Sequence, residues 1–395
     1  MTSTHQPLAG ITVISLEQAV AAPFASRQLA DLGARVIKIE RPDVGDFARN
    51  YDNKTNGLAS HFVWINRSKE SLTLNVKSDQ GKAILEQLLS EADVFLHNLA
   101  PGAVDRLGFG AARLRTDYSK LIVCHISGYG TTGPYRDKKA YDLLIQAEAG
   151  LLSVTGTPET PSKVGISAAD IASGMYAYSG ILTALLSRYQ TGEGTIVEVS
   201  MLEALGEWMG FPMYYAMGGT PPKRNGASHS AIAPYGPFPT GDGHVVLLGI
   251  QNEREWQRFC EHVLQQPELT SDARFAGNAL RVANQDVLQE TIIAAFDSLT
   301  RDEVIARLDQ AQIANAEMRT MQSFLDHPQL QARSRWHDVD SAVGPLPALH
   351  PAATIANVQP VFDPIPSLGA QTDAILAELG YDDATVEALR RDGIV

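Results

Sequence analysis

Residues 163–185 read KVGISAADIASGMYAYSGILTAL. After the opening lysine the stretch carries one charged side chain, Asp170. A lone carboxylate ahead of a long apolar run has two readings. It caps a helix, since Asp is among the preferred N-cap residues. Or it is a nucleophile, since a carboxylate can attack an acyl carbon and split one hard transfer into easier covalent steps. Residues 171–186 are uncharged and helical in character, with Gly174, Ala177 and Gly180 as small residues for close packing. A helix apolar all round is expected to be buried. At its start, unpaired N–H groups and the helix dipole favour a carboxylate and lower its pKa. Cap preferences put the cap reading first on this stretch alone. Yet the same setting suits an ionised, partly desolvated nucleophile, and Ala168 and Ala169 would leave space for a substrate.

Other patterns carry less. GISAA (165–169) departs from the GxSxG nucleophile elbow at its last position, and Ser167 reads as a turn or cap hydroxyl. GYGTTG (128–133) matches GxGxxG after a strand-like run, but Pro134 and polar residues follow where a helix must open. It reads as a tight loop. No HExxH, paired-Cys or His-rich cluster and no GxxxxGK[ST] loop is present, so neither a metal site nor P-loop phosphoryl transfer is expected. Cations sit at strand ends and in loops: Lys38, Arg41, Arg67, Lys69, Arg106, Arg136, Lys138 and Lys139. Ligands of open α/β sheets bind beyond the carboxyl ends of the strands, where several of these fall. Singly, each also reads as ordinary surface charge.

The elements that must position these residues alternate. ITVISL, RVIKIE, SLTLNV, DVFLHNL and KLIVCHIS read as buried strands. Helical stretches separate some of them, including 21–33 and 77–92, the latter with Ile84, Leu85, Leu88 and Leu89 on one face. This rhythm implies a mostly parallel sheet covered by helices. From about Met217 the texture turns to Gly- and Pro-rich loops, one strand and several helices, which predicts a smaller α+β region over 217–330 after a large domain over 1–216. The segment 331–395 returns to strand and helix. Length alone, at 395 residues, favours more than one core. The net charge of −13 argues against a general nucleic-acid binder. Two cysteines in no paired spacing, no signal-peptide pattern and no long apolar span predict a cytoplasmic protein with no membrane partner.

Five ordered motifs resemble the class III CoA-transferases, the family that includes formyl-CoA and carnitine CoA-transferases. They are PLAGITVISLEQAVAAPFASRQLADLGARVIKIERPDVGD, VFLHNLAPGAVDRLGFG, ISGYGTTGPYRDKKAYDLLIQAEAGLLSVTG, DIASGMYAYSGILTALLSRYQTGEG and LGYDDATVEALRRDGIV. The resemblance implies an α/β fold: a Rossmann-like large domain built from the N-terminal part and the tail, a smaller α+β domain, and two copies interlocked as a homodimer. It implies Asp170 as nucleophile on an acyl-CoA, with Asp142 as a supporting acid. It implies coenzyme A and acyl-CoA as substrates and no permanently bound cofactor. By motif, Val20, Arg41, Lys69, Asn98, Leu99, Arg106 and Lys139 fall at CoA-binding positions. Leu99 replaces the usual aromatic residue, and Val20 replaces a glutamine of formyl-CoA transferase, which counts against oxalate and formate. Acyl-CoA racemases of the same fold use a histidine in a GHD-like triplet; the matching triplet here is Ala140-Tyr141-Asp142, which favours transfer over the epimerase alternative. A catalytically silent CoA-binding protein is the other alternative. The loop KRNGASHSAIAPYGPF (223–238) resembles the branch acting on C4–C5 dicarboxylic acyl-CoAs, with Arg224, His229 and Tyr235 as candidates to hold the second carboxylate.

Overall fold

The computed structural model of the chain describes residues 5–395. These divide into two units. The first comprises residues up to Ala149, Val164–Gly210 and Gln329–Val395; the second comprises Gly150–Lys163 and Phe211–Pro328.

In the first unit β1 (Thr12–Leu16), α1 (Ala21–Asp31), β2 (Arg35–Glu40), α2 (Ser60–Ile65) and β3 (Lys69–Thr73) follow one another. Then come α3 (Asp79–Ser90), β4 (Val94–His97), α4 (Ala103–Leu107), α5 (Ala111–Asp117), β5 (Ile122–Ser127) and α6 (Asp142–Glu148). After the short α7 (Leu151–Val154) of the second unit, α8 (Ala168–Thr191), β6 (Ile196–Ser200) and α9 (Met201–Trp208) complete the series. The six strands form one parallel sheet in the order β3-β2-β1-β4-β5-β6. Strand order reverses beside β1, so the chain leaves β1 and β4 in opposite directions and opens a crevice at their carboxyl ends.

The two faces of the sheet differ. Ile14, Ile37, Phe95 and Val123 lie side by side on one face, joined by Ile84, Leu85, Leu88 and Leu89 of α3 and by Ile375, Leu376, Val386 and Leu389 of the C-terminal segment. The opposite face carries Ser15, Lys38 and Ser71 in register, all fully buried. A charge inside a sheet must be paired to be tolerated: Lys38 donates to Glu17 and Asp46, and Ser71 to Glu40, while Ser15 Oγ has no partner among the described residues.

Helix α8 lies against α1 and β6 through its small residues. A Cβ on Gly174 would meet Ala21 O at 2.7 Å, and one on Gly180 would meet Val197 Cγ1 at 2.8 Å. The helix is not buried all round as expected. Met175, Tyr176, Leu186 and Tyr189 face outward at 39%, 37%, 63% and 90% exposure. The apolar run therefore has one face in the fold and one face bare in the single chain. No helix among the described residues is long and apolar enough to cross a membrane.

The second unit has a three-stranded antiparallel sheet of Tyr235–Pro239, Val245–Gly249 and Ala314–Glu317. Its own core gathers Val246, Leu248, Trp256, Phe259, Phe275 and Phe296.

Candidate active site

A cavity of about 520 Å³ opens where strands β1 to β4 end. That size lies within the range typical of small-molecule sites. Its walls include Gln18, Arg41, Phe47, Lys77, Leu99 and Arg106. The two loops that diverge at the crevice are tied together: Gln18 N–H donates to Asn98 Oδ1 at 2.9 Å, and Asn98 Nδ2 donates to Gln18 O at 2.8 Å. Arg41 donates through Nε and Nη2 to Gly45 O at 3.2 and 2.9 Å, and its guanidinium lies 4.5 Å from the Phe47 ring centre. Arg106 is exposed and, among the described residues, reaches only Pro101 O, at 3.4 Å. Three cations at the mouth of a largely apolar cavity fit a ligand with phosphates at one end and an uncharged arm at the other.

Asp170 stands in the first turn of α8, but it does not cap the helix. Asp142 does, from α6. Its Oδ1 accepts the N–H of Ala169 at 2.8 Å and, more weakly, that of Asp170 at 3.4 Å. Gln146, one turn on and fully buried, donates from Nε2 to Asp142 Oδ2 at 2.7 Å and to Ile166 O at 3.3 Å, and its Oε1 accepts Val164 N–H at 3.1 Å. Gly128 fixes where α6 begins: Ala140 packs where a Cβ would sit, at 2.3 Å from its Cβ. The glycine motif is thus a loop, as expected, and no helix opens until Asp142. Relieved of capping, the Asp170 carboxylate accepts no hydrogen bond among the described residues, and the residue is only partly buried. Burial, and then the Asp142 charge, push its carboxyl up to about 7. The expected lowering is corrected: lost hydration and a like charge outweigh the helix end. Ala168 and Ala169 are buried in the fold at 4% and 0% exposure, so they do not make room for a substrate. Tyr51, shifted upward by burial and then by Asp46 and Asp170, lies within electrostatic reach of the carboxylate.

A sequence profile for CoA-transferase family III matches residues 8–372. This chain belongs to CoA-transferase family III. It is a CoA-transferase, and similar proteins of the family span it nearly end to end. An acyl-CoA transferase of Fusarium pseudograminearum is 34% identical, over 100% of this chain and 89% of that protein. A succinyl-CoA:glutarate CoA-transferase of Homo sapiens is 31% identical, over 99% of this chain and 90% of that protein. The crystal structure of a CAIB/BAIF family protein from Brucella suis superposes with a TM-score of 0.84 at 31% identity, covering 95% of this chain and 100% of that one.

The positions expected by family III motif do not all come together. Arg41, Leu99 and Arg106 line the cavity. Asn98 is not part of the cavity wall and spends its amide on the Gln18 backbone. Lys69 is a correction. It is 3% exposed, and its Nζ donates to Glu17 Oε1 at 2.7 Å, Pro23 O at 3.0 Å and Asn66 Oδ1 at 3.0 Å. An ammonium has three protons, so none is left for a ligand. Val20 is also corrected: it is 3% exposed at the N-cap of α1 and is no part of the cavity wall. Lys139 is exposed in the loop ahead of α6. In the second unit Arg224 donates to Thr157 O and Pro158 O, both at 2.9 Å, and so ties that unit's two segments. His229 Nδ1 accepts Ala231 N–H at 3.0 Å, and its ring stacks on Tyr235 at 5.3 Å. That bond leaves Nε2 as the donor of a neutral imidazole. Gln18, Phe47, Lys77 and Tyr51 were missed; for Gln18 the signal was its place just past the end of β1.

Proposed function

We propose that Asp170 is the nucleophile of CoA transfer between C4–C5 dicarboxylic acids, with the switch-point cavity of a Rossmann-like first unit as the seat of CoA. The observation that carries this reading is the Asp170 carboxylate left unpaired at the start of α8 while Asp142 does the capping. In the first step Asp170 attacks the thioester carbonyl. The C–S bond breaks, giving a mixed anhydride on the enzyme and CoA thiolate. The thiolate then attacks the Asp170 acyl carbon, forming an aspartyl-CoA thioester and releasing the first acid. The acceptor carboxylate attacks that thioester, and the expelled thiolate attacks the acceptor's acyl carbon. A new acyl-CoA leaves and Asp170 is free again. No step needs a net proton transfer, which agrees with Tyr141 standing where a racemase has its histidine. Incubation with succinyl-CoA and hydroxylamine, followed by mass analysis of the peptide holding Asp170, tests this directly: a hydroxamate there is expected, and turnover with an unmodified peptide would sink the assignment.

Charge at the cavity mouth supports CoA as the ligand. Arg41→Gln and Arg106→Gln are each expected to raise KM for succinyl-CoA by roughly tenfold or more, since a hydrogen bond to a charged group contributes about 1.5–3 kcal/mol. The kcat is expected to stay within about threefold. Equal losses in kcat and kcat/KM would instead place these side chains at the reacting atoms.

The substrate class rests on the relatives, whose names give succinyl-CoA with glutarate, citramalate and malate. Arg224, His229 and Tyr235 are proposed to recognise the second carboxylate, His229 through Nε2–H. With succinyl-CoA as donor, C4–C5 dicarboxylates are expected to turn over at least about tenfold faster than formate, oxalate or a C4 monocarboxylate, as charge-assisted recognition requires. Equal rates across that panel, read by mass spectrometry of the acyl-CoA products, would remove the dicarboxylate reading. The bare face of α8 supports a homodimer, in which a second copy would cover Met175, Tyr176, Leu186 and Tyr189. A reducing, cytoplasmic setting suits its two buried free thiols.

A further inference from the structure

Six charged side chains cluster behind the loop from β1 to α1. Glu17, Lys38 and Asp46 are fully buried, Glu40 and Lys69 nearly so, and Arg49 closes the group. Lys38 Nζ donates to Asp46 Oδ2 at 2.6 Å and to Glu17 Oε1 at 3.2 Å; Lys69 Nζ shares that same Glu17 oxygen at 2.7 Å. Arg49 donates to both oxygens of Glu40, at 2.8 and 2.6 Å, and Glu40 Oε1 also accepts Asp46 N–H at 2.9 Å. Apolar residues of similar volume usually stabilise such a site better than ion pairs do. The group therefore calls for a reason other than stability, and what it holds supplies one.

Asp46 Oδ1 accepts two backbone N–H groups, those of Ala19 and Ala48, each at 2.9 Å. Ala19 has φ +61°, in the left-handed region that a residue with a Cβ enters only against strain. Ala48 belongs to the 3₁₀ turn Phe47–Asn50, which Asp46 caps. That turn brings Phe47 to the cavity wall, and Phe47 N–H donates to Gln18 Oε1 at 3.2 Å. Gln18 is thus gripped by its side-chain oxygen and, through Asn98, by its backbone. Its Nε2 has no partner among the described residues and stands at the cavity lined by Arg41, Leu99 and Arg106.

We infer that Asp46 is a positioning residue for CoA transfer: one carboxylate oxygen is fixed by Lys38, and the other holds the left-handed Ala19 peptide and the Phe47–Asn50 turn together, setting Gln18 at the cavity wall. Asp46 touches no substrate; it acts through Ala19 and Gln18. The inference rests on reading the cavity as the CoA seat and Asp170 as the nucleophile. Burial opposes ionisation of Glu17, yet Lys69 and Lys38 hold it down to about 2, while burial pushes Lys69 itself down to about 7.

The test compares the full-length wild type with Asp46→Asn, with Asp46→Asn/Ala19→Gly, and with Ala19→Val. Measured are kcat and KM for succinyl-CoA with glutarate, the dissociation constant for CoA, and the fraction of sites that form the Asp170 hydroxamate. Asp46→Asn is expected to lower kcat per active site about tenfold or more, with KM and CoA affinity within about threefold, because the loop loses its fixed acceptor and not its binding cations. Adding Ala19→Gly should return about three- to tenfold of the loss, since glycine adopts the left-handed peptide without being held there. Ala19→Val, which leaves every buried charge in place, is expected to lose kcat in the same way. It keeps the inference testable should Asp46→Asn not fold. A merely structural Asp46 gives a different pattern: fewer active sites, unchanged kcat per site and no rescue by Ala19→Gly. That pattern, or an Ala19→Val enzyme with wild-type kcat, overturns the inference. Absence of the hydroxamate in the wild type would instead defeat the reading of Asp170, while the ratios between variants still report on Asp46.

Discussion

Asp170→Asn is expected to abolish CoA transfer and, at pH 8, to make the protein more stable. The loss of activity should be at least about a thousandfold, because the amide cannot form the anhydride or the aspartyl-CoA thioester and the two-step route closes altogether. The gain in stability follows from the carboxyl's raised pKa. In the unfolded chain an aspartyl carboxyl titrates near its usual value of about 3.9; in the fold burial and Asp142 push this one up to about 7. Between those values the folded state binds more protons than the unfolded state. The contribution of the group is therefore fully present below about pH 4 and is lost as pH rises through 7. Above pH 7 the ionised carboxylate is a standing cost. Three units correspond to about 4 kcal/mol. Partial exposure and coupling to Asp142 bring the expected figure to the order of 2 kcal/mol. Asparagine carries no charge and escapes it. Thermal melts at pH 5 and pH 8 check the sign: the variant should gain a few degrees at pH 8 and little at pH 5. A variant less stable than wild type at pH 8 would contradict an unpaired, desolvated carboxylate at this position.

The same pKa sets the rate profile. A nucleophilic carboxylate must be ionised, so kcat/KM is expected to rise with pH up to about 7 and then level off. A helix end that merely lowered the pKa would leave the rate flat above about pH 4. The raised value has a chemical use. A weakly solvated carboxylate holds its electron pair less tightly to water and reacts more readily at an acyl carbon.

Much of the first unit is written locally. Short apolar runs mark the strands, Gly33 marks the end of α1, and the spacing of Ile84, Leu85, Leu88 and Leu89 marks the buried face of α3. Arg41 and Arg106 are legible as cations in loops near strand ends, where ligands of parallel sheets sit, whereas Leu99 follows only from the family resemblance. What was not legible depends on distant partners. Lys69 looks like a free cation in NRSKES, yet it is the first residue of β3, and the sheet turns its side chain inward to Glu17, 52 residues earlier. The outward face of α8 is as apolar as its inner face, so no periodicity distinguishes them. The cap of α8 is the clearest case. Ser167 and Asp170 are the local candidates, and neither serves; the oxygen comes from Asp142, 28 residues before Asp170, delivered by the Gly128–Ala140 contact.

That arrangement gives Asp142 two separable effects on Asp170, and two substitutions are expected to pull them apart. Asp142→Asn keeps an oxygen able to accept the N–H groups of Ala169 and Asp170 but removes the negative charge beside the nucleophile. With the like charge gone, Asp170 ionises more easily. The acid limb of the kcat/KM profile should then move down by roughly half a unit to one unit, while the rate at pH 8 falls only a few-fold. Some loss is expected even there, because the new amide meets Gln146 Nε2, which now donates to Asp142 Oδ2. Asp142→Ala removes charge and cap together. It should show the same shift of the acid limb. In addition it should lose about 1 kcal/mol of stability, the usual cost of a missing N-cap acceptor. Its rate at pH 8 should fall by about tenfold or more, because the first turn of α8, which carries Asp170, is no longer anchored. The Asn and Ala variants thus share a pH shift and differ in melting temperature and plateau rate. If neither variant moved the acid limb, Asp142 would be a cap alone, and burial by itself would have to account for the raised pKa of Asp170. If Asp142→Asn lost as much plateau rate as Asp142→Ala, the charge and not the hydrogen bond would be what orders the turn.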